Sequence, residues 1–302
     1  MSNPTIGVFD SGFGGLTVLR ELLRHIPQAN YKFLGDTARL PYGSKSRRTI
    51  AKYAAESAQF LVNEQGAQFL VIACNTASAL ALDAIQEAVP VPVLGVIQPG
   101  ASAARAASQT GDVLVIATDA TVQSHAYAEA CKALGLHGIE RACPLLVPLV
   151  EEGWTDHPVT AEVFRIYLNE LQKDAASANL HPDTLVLGCT HYPLLRPLIE
   201  KIVPEGMQVI DSAEATAAKA ASLFNLQPTT NPGHPILTGA PSVRTLHAGV
   251  VETSSPSQGW ETTEAGSHIH CFATDSVEKF ERLGSRFLGR PTGKVELVDL
   301  GG

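Results

Sequence analysis

Two short stretches of this sequence could do chemistry together. Val71-Ile72-Ala73-Cys74-Asn75-Thr76 and Leu187-Gly188-Cys189-Thr190-His191 are each an apolar run ending in a cysteine that small polar residues follow. Each run reads as a buried parallel strand delivering a thiol to its carboxyl end, where open α/β sheets collect ligands. A helix starting there would stabilise a thiolate through its first amides. A free thiol, with a pKa of about 8.5, is little ionised at neutral pH, so such help is what makes it a working acid or base. We expect the two thiols to face one another across a single site.

Four chemistries suit a pair of thiols. Two-electron redox fits poorly, because the two lie far apart in sequence and lack the Cys-x-x-Cys spacing. Metal binding would need further ligands, and no paired Cys or His spacing supplies them. A Cys189–His191 nucleophile pair leaves Cys74 without a task. Proton transfer at a carbon stereocentre uses both thiols symmetrically, one removing a proton from one face and the other returning one to the opposite face.

A rival motif is Gly12-x-Gly14 between a strand and a helix, with Asp36 ending the next strand, which is the outline of a dinucleotide site for NAD. It fails at the third glycine position, which is Thr17, and Asp10 would set a carboxylate beside the pyrophosphate. The same amides could hold a substrate carboxylate instead. His268-x-His270-Cys271 puts alternate residues on one face, as a metal site would, but reads better as an incidental edge strand. Cys131, Cys143 and Cys271 carry no local signature and are expected to be packing residues.

The elements that must position these residues alternate between strand and helix. Strands are expected over Thr5–Phe9, Tyr31–Leu34, Phe69–Ala73 and Val91–Ile97, with helices starting at Leu16, near Ile50 and at Thr76. Pro99-Gly100 reads as a switch into a second series. That series has strands at Val113–Ala117, His137–Arg141 and Thr184–Leu187, and helices over Val122–Leu134, Pro158–Ala175 and Leu195–Ile202. Met207–Ile210 and Ala213–Phe224 follow as strand and helix. Thr238–Ser267, rich in Ser, Thr and Gly, holds no convincing helix, and order returns at Phe272–Asp275 and Val277–Leu288. Each half thus has a strand leading to a cysteine-bearing turn, a weak internal repeat. The alternation predicts an α/β fold of two similar three-layer domains with mainly parallel sheets, related by pseudo-symmetry.

Composition bounds the function. The chain has 302 residues, enough for two α/β domains, and 45% of them are hydrophobic. A net charge of -8 argues against general nucleic-acid binding, and the basic cluster Lys45-Ser46-Arg47-Arg48 reads as a solvated turn at a helix start. Met1-Ser2-Asn3-Pro4 lacks the regions of a signal peptide and no apolar run has membrane-spanning length, so a cytoplasmic protein is expected. Five irregularly spaced cysteines are no disulfide framework. The expected partners are a small-molecule substrate and a second copy of the chain, a homodimer, with no nucleic acid and no membrane. A two-lobed binding module of the periplasmic type is the non-enzymatic alternative.

The motifs resemble those of the cofactor-independent glutamate racemases of bacterial cell-wall synthesis. The resemblance runs in order through Ile6-Gly7-Val8-Phe9-Asp10-Ser11-Gly12-Phe13-Gly14-Gly15-Leu16, Gly35-Asp36-Thr37, Pro41-Tyr42-Gly43 and Ala73-Cys74-Asn75-Thr76-Ala77. It continues through Cys143-Pro144, Pro148-Leu149-Val150-Glu151 and Gly188-Cys189-Thr190-His191-Tyr192-Pro193. It implies interconversion of L- and D-glutamate for peptidoglycan synthesis, without cofactor or metal. Cys74 matches the base that acts on D-glutamate and Cys189 the one that acts on L-glutamate. Asp10 and His191 match the groups assisting them, and Glu151, with Glu152 beside it, matches an acidic position near the second thiol. Ser11, Tyr42, Gly43, Asn75, Thr76 and Thr190 match substrate-binding positions, and so do Asp10 and His191. Thr118 and Thr121 resemble a further substrate-holding pair, and Asp36 matches an acidic position.

The implied fold places the site in the cleft between a discontinuous first domain, residues 1–98 plus 208–302, and a second, residues 99–207. His191 favours glutamate, since related aspartate racemases follow the second cysteine with Thr-Glu. Residues 238–267 look like an insertion relative to the compact family pattern. With almost no extension before the first strand, regulation by a cell-wall precursor is not expected.

Overall fold

The computed structural model describes residues 3–226 and 268–301. The expected insertion at residues 238–267 lies outside them. Among the described residues two sheets form the frame, and every strand pairing in both is parallel.

The first sheet contains β1 (Thr5–Asp10), β2 (Asn30–Gly35), β3 (Phe69–Ile72) and β4 (Val93–Gly95), joined late in the chain by β9 (Ile269–Ala273) and β10 (Val295–Leu297). Its order is β10-β9-β2-β1-β3-β4. The second sheet contains β5 (Asp112–Ala117), β6 (His137–Ala142), β7 (Thr184–Gly188) and β8 (Gln208–Asp211), in the order β6-β5-β7-β8. In the first sheet the chain leaves β1 to one side for β2 and later returns to its other side for β3. In the second it does the same around β5, with β6 on one side and β7 on the other. Each sheet therefore has a topological switch point, between β1 and β3 and between β5 and β7, where a crevice opens outside the strand ends. The repeat legible in the sequence is this shared topology.

Strand alternation buries both faces. Ile6, Val8, Phe33 and Val71 pack to one side of the first sheet, and Phe9, Leu34, Leu70 and Ile72 to the other. The second face is covered by α2 (Arg47–Gln59) and by α3 (Asn75–Leu80) with α4 (Leu82–Ala88), through Ile50, Ala54, Ala77 and Ile85. The first face meets α1 (Leu16–His25), where Leu16, Leu19 and Leu22 recur at helical spacing. That same apolar cluster continues into Leu114, Ile116, Leu185 and Leu187 of the second sheet, so one core joins the two halves. On the other face of the second sheet, α5 (Ile97–Ala107) packs Ile97, Ala101 and Ala104 against Val113, Val115 and Val186.

Several elements differ from expectation. Pro99-Gly100 lies inside α5, where a proline in the first turn forfeits no hydrogen bond. The passage between sheets is thus a helix rather than a turn. β8 pairs with β7 in the second sheet, so the stretch from residue 208, expected with the first domain, returns to the first sheet only after Asp211. The helix expected over Val122–Leu134 is α6 (Asp119–Gln123) and α7 (Ala126–Ala133), separated by His125 in the left-handed region at φ 56°. The short α8 (Leu146–Glu151) was not foreseen, while α9 (Pro158–Ser177) matches expectation. After β7 come a 3-10 turn at Tyr192–Leu195 and α10 (Arg196–Ile199), and α11 (Ser212–Leu226) follows β8. β9 is an interior strand between β2 and β10, not the edge strand expected at His268–Cys271. Finally α12 (Val277–Leu288) follows β9 and buries Phe280, Leu283 and Phe287.

Candidate active site

The two switch points share a cavity of about 560 Å³. From the first sheet it is lined by Ser11 after β1, Tyr42 and Gly43 after β2, and Cys74-Asn75-Thr76 after β3. From the second it is lined by Thr118 after β5, Glu151 at the end of α8, and Cys189-Thr190-His191 after β7. Every site residue expected from the sequence is a lining residue except Asp10 and Thr121, which are buried directly behind it.

Cys74 is the N-cap of α3, its sulfur accepting the Ala77 N–H at 3.4 Å and donating to Ser11 Oγ at 3.4 Å. Burial, and then the negative charge of Asp10, push its thiol up to about 12. Cys74 therefore holds its proton at neutral pH. Burial also raises the carboxyl of Asp10, against hydrogen bonds led by the Gly12 N–H at 2.9 Å and the charge of His191. Asp10 Oδ1 and Asn75 Nδ2 are buried without a hydrogen-bond partner among the described residues. Such orphans cost stability unless something fills them, and a bound amino acid supplies groups of both kinds. Asn75 is held from behind by Tyr127, whose hydroxyl donates to Asn75 Oδ1 at 2.7 Å.

Cys189 has a different partner. His191 Nδ1 lies 3.9 Å from its sulfur, and His191 Nε2 lies 3.3 Å from Glu151 Oε1. Burial disfavours the imidazolium, but the hydrogen bonds to Cys189 and Glu151 outweigh it and raise His191 to about 10. The Glu151 carboxyl is pushed up by burial yet held below its ordinary value by the hydrogen bond and charge of His191, with Lys279 adding to both. The pairing falls to Glu151 rather than to its neighbour Glu152. The two thiols thus sit in opposite fields, one beside a carboxylate and one beside a cation.

Contacts between the halves hold this arrangement. Thr76, Thr118 and Thr121 form a triangle of hydroxyls with sides of 3.0, 3.3 and 2.9 Å. The residues that suggested a dinucleotide site are used for docking the halves. Thr17 Oγ1 lies 2.9 Å from Gly14 O and 3.1 Å from Thr190 O. A Cβ on Gly14 would strike Thr190 Oγ1 and sit 2.7 Å from His191 Nδ1, so this glycine leaves room for the second thiol's partners. Asp36 is buried and accepts from Arg39 Nε at 2.7 Å, Tyr42 OH at 2.5 Å and Thr274 Oγ1 at 3.0 Å. It fixes Tyr42 against the cavity.

The remaining cysteines, Cys131, Cys143 and Cys271, are buried and unpaired. His270 pairs with Glu296 at 3.1 Å and approaches Lys32, while Cys271 points into the core. Among the described residues no helix is long and apolar enough to cross a membrane. Sequence reasoning missed Leu40, Ser44, Asp119, Val147 and Lys279 as lining residues. Asp119 follows Thr118 directly and was within reach of the strand-end argument. Lys279 has no local signal, because only the fold brings α12 to the site.

Paired α/β halves with a thiol at each switch point define a class of isomerase, and residues 6–220 match the Asp/Glu/Hydantoin racemase family, to which the chain belongs. Within that family the similarity is to glutamate racemases. The protein of that name from Koribacter versatilis is 53% identical over 301 residues, 99% of this chain and 98% of the relative. A glutamate racemase isoform of Bacillus anthracis superposes with a TM-score of 0.81 at 34% identity, covering 99% of both chains. The Francisella tularensis enzyme, solved in complex with D-glutamate, superposes with a TM-score of 0.79 at 33% identity, again over 99% of both.

Proposed function

We propose that this chain interconverts L- and D-glutamate by moving the α-proton between two thiols, and that it supplies D-glutamate for peptidoglycan. The observation that carries the reading is the placement of Cys74 and Cys189 on one cavity from two equivalent switch points, each with its own ionisable partner. The D-glutamate bound by the Francisella tularensis relative supports the substrate.

In the L-to-D direction the Cys189 thiolate takes the α-proton, forming an S–H bond. The C–H electron pair moves into the α-carboxylate as an enolate-like dianion, and Cys74 gives its S–H proton to the opposite face. The reverse reaction begins at Cys74, whose charge balance improves once the substrate ammonium enters beside Asp10. Proton transfer by positioned groups supplies about 10²–10⁴-fold per step. Stabilising the dianion must supply much of the rest, and Asn75 Nδ2 with the Thr76 and Thr190 hydroxyls are the donors at hand. Thr118, Thr121, Ser11, Tyr42 and Gly43 complete the substrate site. His191 and Glu151 serve Cys189, and Asp10 serves Cys74. No cofactor or metal enters the scheme.

We place this site between two domains, the first discontinuous, and assign the protein to the cytoplasm. Val159 and Ile166, two turns apart on α9, expose apolar side chains and support a homodimer. Sedimentation equilibrium would reveal it.

In deuterated water each enantiomer should gain deuterium at the α-carbon as it converts, read by proton NMR. Unlabelled product would refute transfer through exchangeable thiols. Gly14→Ala should push Thr190 and His191 aside and lower kcat/KM about 100-fold, the cost of a displacement of about 1 Å. Initial rates by circular dichroism measure this, and a rate within a factor of about two of wild type would show that the close approach is unimportant.

A further inference from the structure

The wall behind His191 is built by α12, which lies beyond the residues matched to the family. Lys279 and Arg286 stand seven residues apart on α12, on one face. Lys279 Nζ is 3.7 Å from Glu151 Oε2, and Arg286 Nη1 donates to the Glu151 carbonyl at 3.2 Å. Phe287 packs on the His191 ring in a T-shaped arrangement, with centroids 4.9 Å apart. The helix is firmly seated, since Gly284 has no Cβ and lets Leu16 approach to where that Cβ would be 2.8 Å away.

We propose that Lys279 is a positioning residue for the second acid–base group, holding Glu151 so that its other oxygen stays on His191 Nε2 and the imidazolium stays aligned with Cys189. This rests on the two-thiol reading. Glu151 divides its two oxygens between two cations, His191 at Oε1 and Lys279 at Oε2. Its side chain is 26% exposed, so without the second cation it can rotate towards water and leave His191. The charged or titratable groups facing this pair are Cys189 from β7, Asp10 from β1, and Lys279 and Arg286 from α12. Lys279 helps to keep the Glu151 carboxyl ionised, opposing its burial.

Rates alone cannot locate the effect. L- and D-glutamate are mirror images of equal free energy, so kcat/KM must fall equally in both directions. Isotope effects can locate it. If Lys279→Met slows the Cys189 step, the effect of α-deuterium should grow from L-glutamate and shrink towards unity from D-glutamate. We expect a loss of roughly tenfold in kcat/KM, well below the cost of a full 1 Å displacement, and recovery in Lys279→Arg. NMR titration of the His191 ring gives a readout independent of turnover. It should move to lower pH in Lys279→Met and stay in place in Lys279→Arg. A titration that rises, as it would if Lys279 merely repelled the imidazolium, or one that does not move, would overturn the proposal. So would isotope effects that remain balanced. A wild-type protein without racemisation would overturn the two-thiol reading instead, and the titration would still judge Lys279.

Discussion

Replacing Cys74 or Cys189 with alanine is expected to give folded proteins that do not interconvert the enantiomers. Each substitution removes one small side chain with its weak sulfur hydrogen bonds, two at Cys74 and one at Cys189, so the cost to stability should stay at about 1–2 kcal/mol. The cost to turnover is far larger, because inversion needs a base on one face and an acid on the other. Either loss forfeits at least the about 10²–10⁴-fold contributed by a positioned proton donor or acceptor. The variants should differ in what remains. Cys74→Ala keeps the thiol beside His191 and should exchange the α-hydrogen of L-glutamate with retention, leaving D-glutamate untouched. Cys189→Ala should show the opposite preference. Circular dichroism follows inversion and NMR in deuterated water follows exchange. Full turnover by either variant would sink the two-thiol scheme, and exchange of both enantiomers by one variant would sink the assignment of faces.

The thiols were legible in the sequence because strand ends are local events. Four or five apolar residues followed by Cys-Asn-Thr or Cys-Thr-His announce a buried strand and its polar terminus without reference to distant chain. The same logic applies to Asp10, Asp36 and Thr118, each at or just past the end of an expected strand. What the sequence hides depends on contacts between distant residues. Thr17 counted only as a failed glycine, yet its hydroxyl reaches the carbonyl of Thr190 in the other half of the chain. Glu151 and Glu152 are indistinguishable until α8 ends and only one of them meets His191. Helix breaks at Ala81 and His125 interrupt runs whose composition continues unchanged across them. β9 reads as an edge strand because its flanking strands, β2 and β10, are remote or very short. Lys279 is one lysine on an amphipathic helix, and its role follows from where β9 carries that helix.

The pH dependence should expose the asymmetry between the thiols. His191 keeps its proton to about 10, compared with an ordinary value of 6.5. The folded state therefore binds more protons than the unfolded state between those values, and stability must fall as pH rises through that interval. The stabilisation is complete below about 6.5 and lost towards pH 10. His191→Asn cannot carry the charge, so its melting temperature should be lower at neutral pH and show less decline over the same range. Activity should follow the same group. Once the imidazolium deprotonates, Glu151 loses one of its two cations and Cys189 its charged partner, so wild-type kcat/KM should fall along a basic limb near pH 10. That limb should have the same midpoint from L- and D-glutamate, because the two directions share every transition state. His191→Asn should lose at least about tenfold in kcat/KM at neutral pH and lack the limb in kcat at saturating substrate, where titration of the unbound substrate ammonium no longer contributes. A basic limb retained in that variant would assign it to another group, and Cys74, raised to about 12 by burial and by Asp10, is too weakly acidic to supply it.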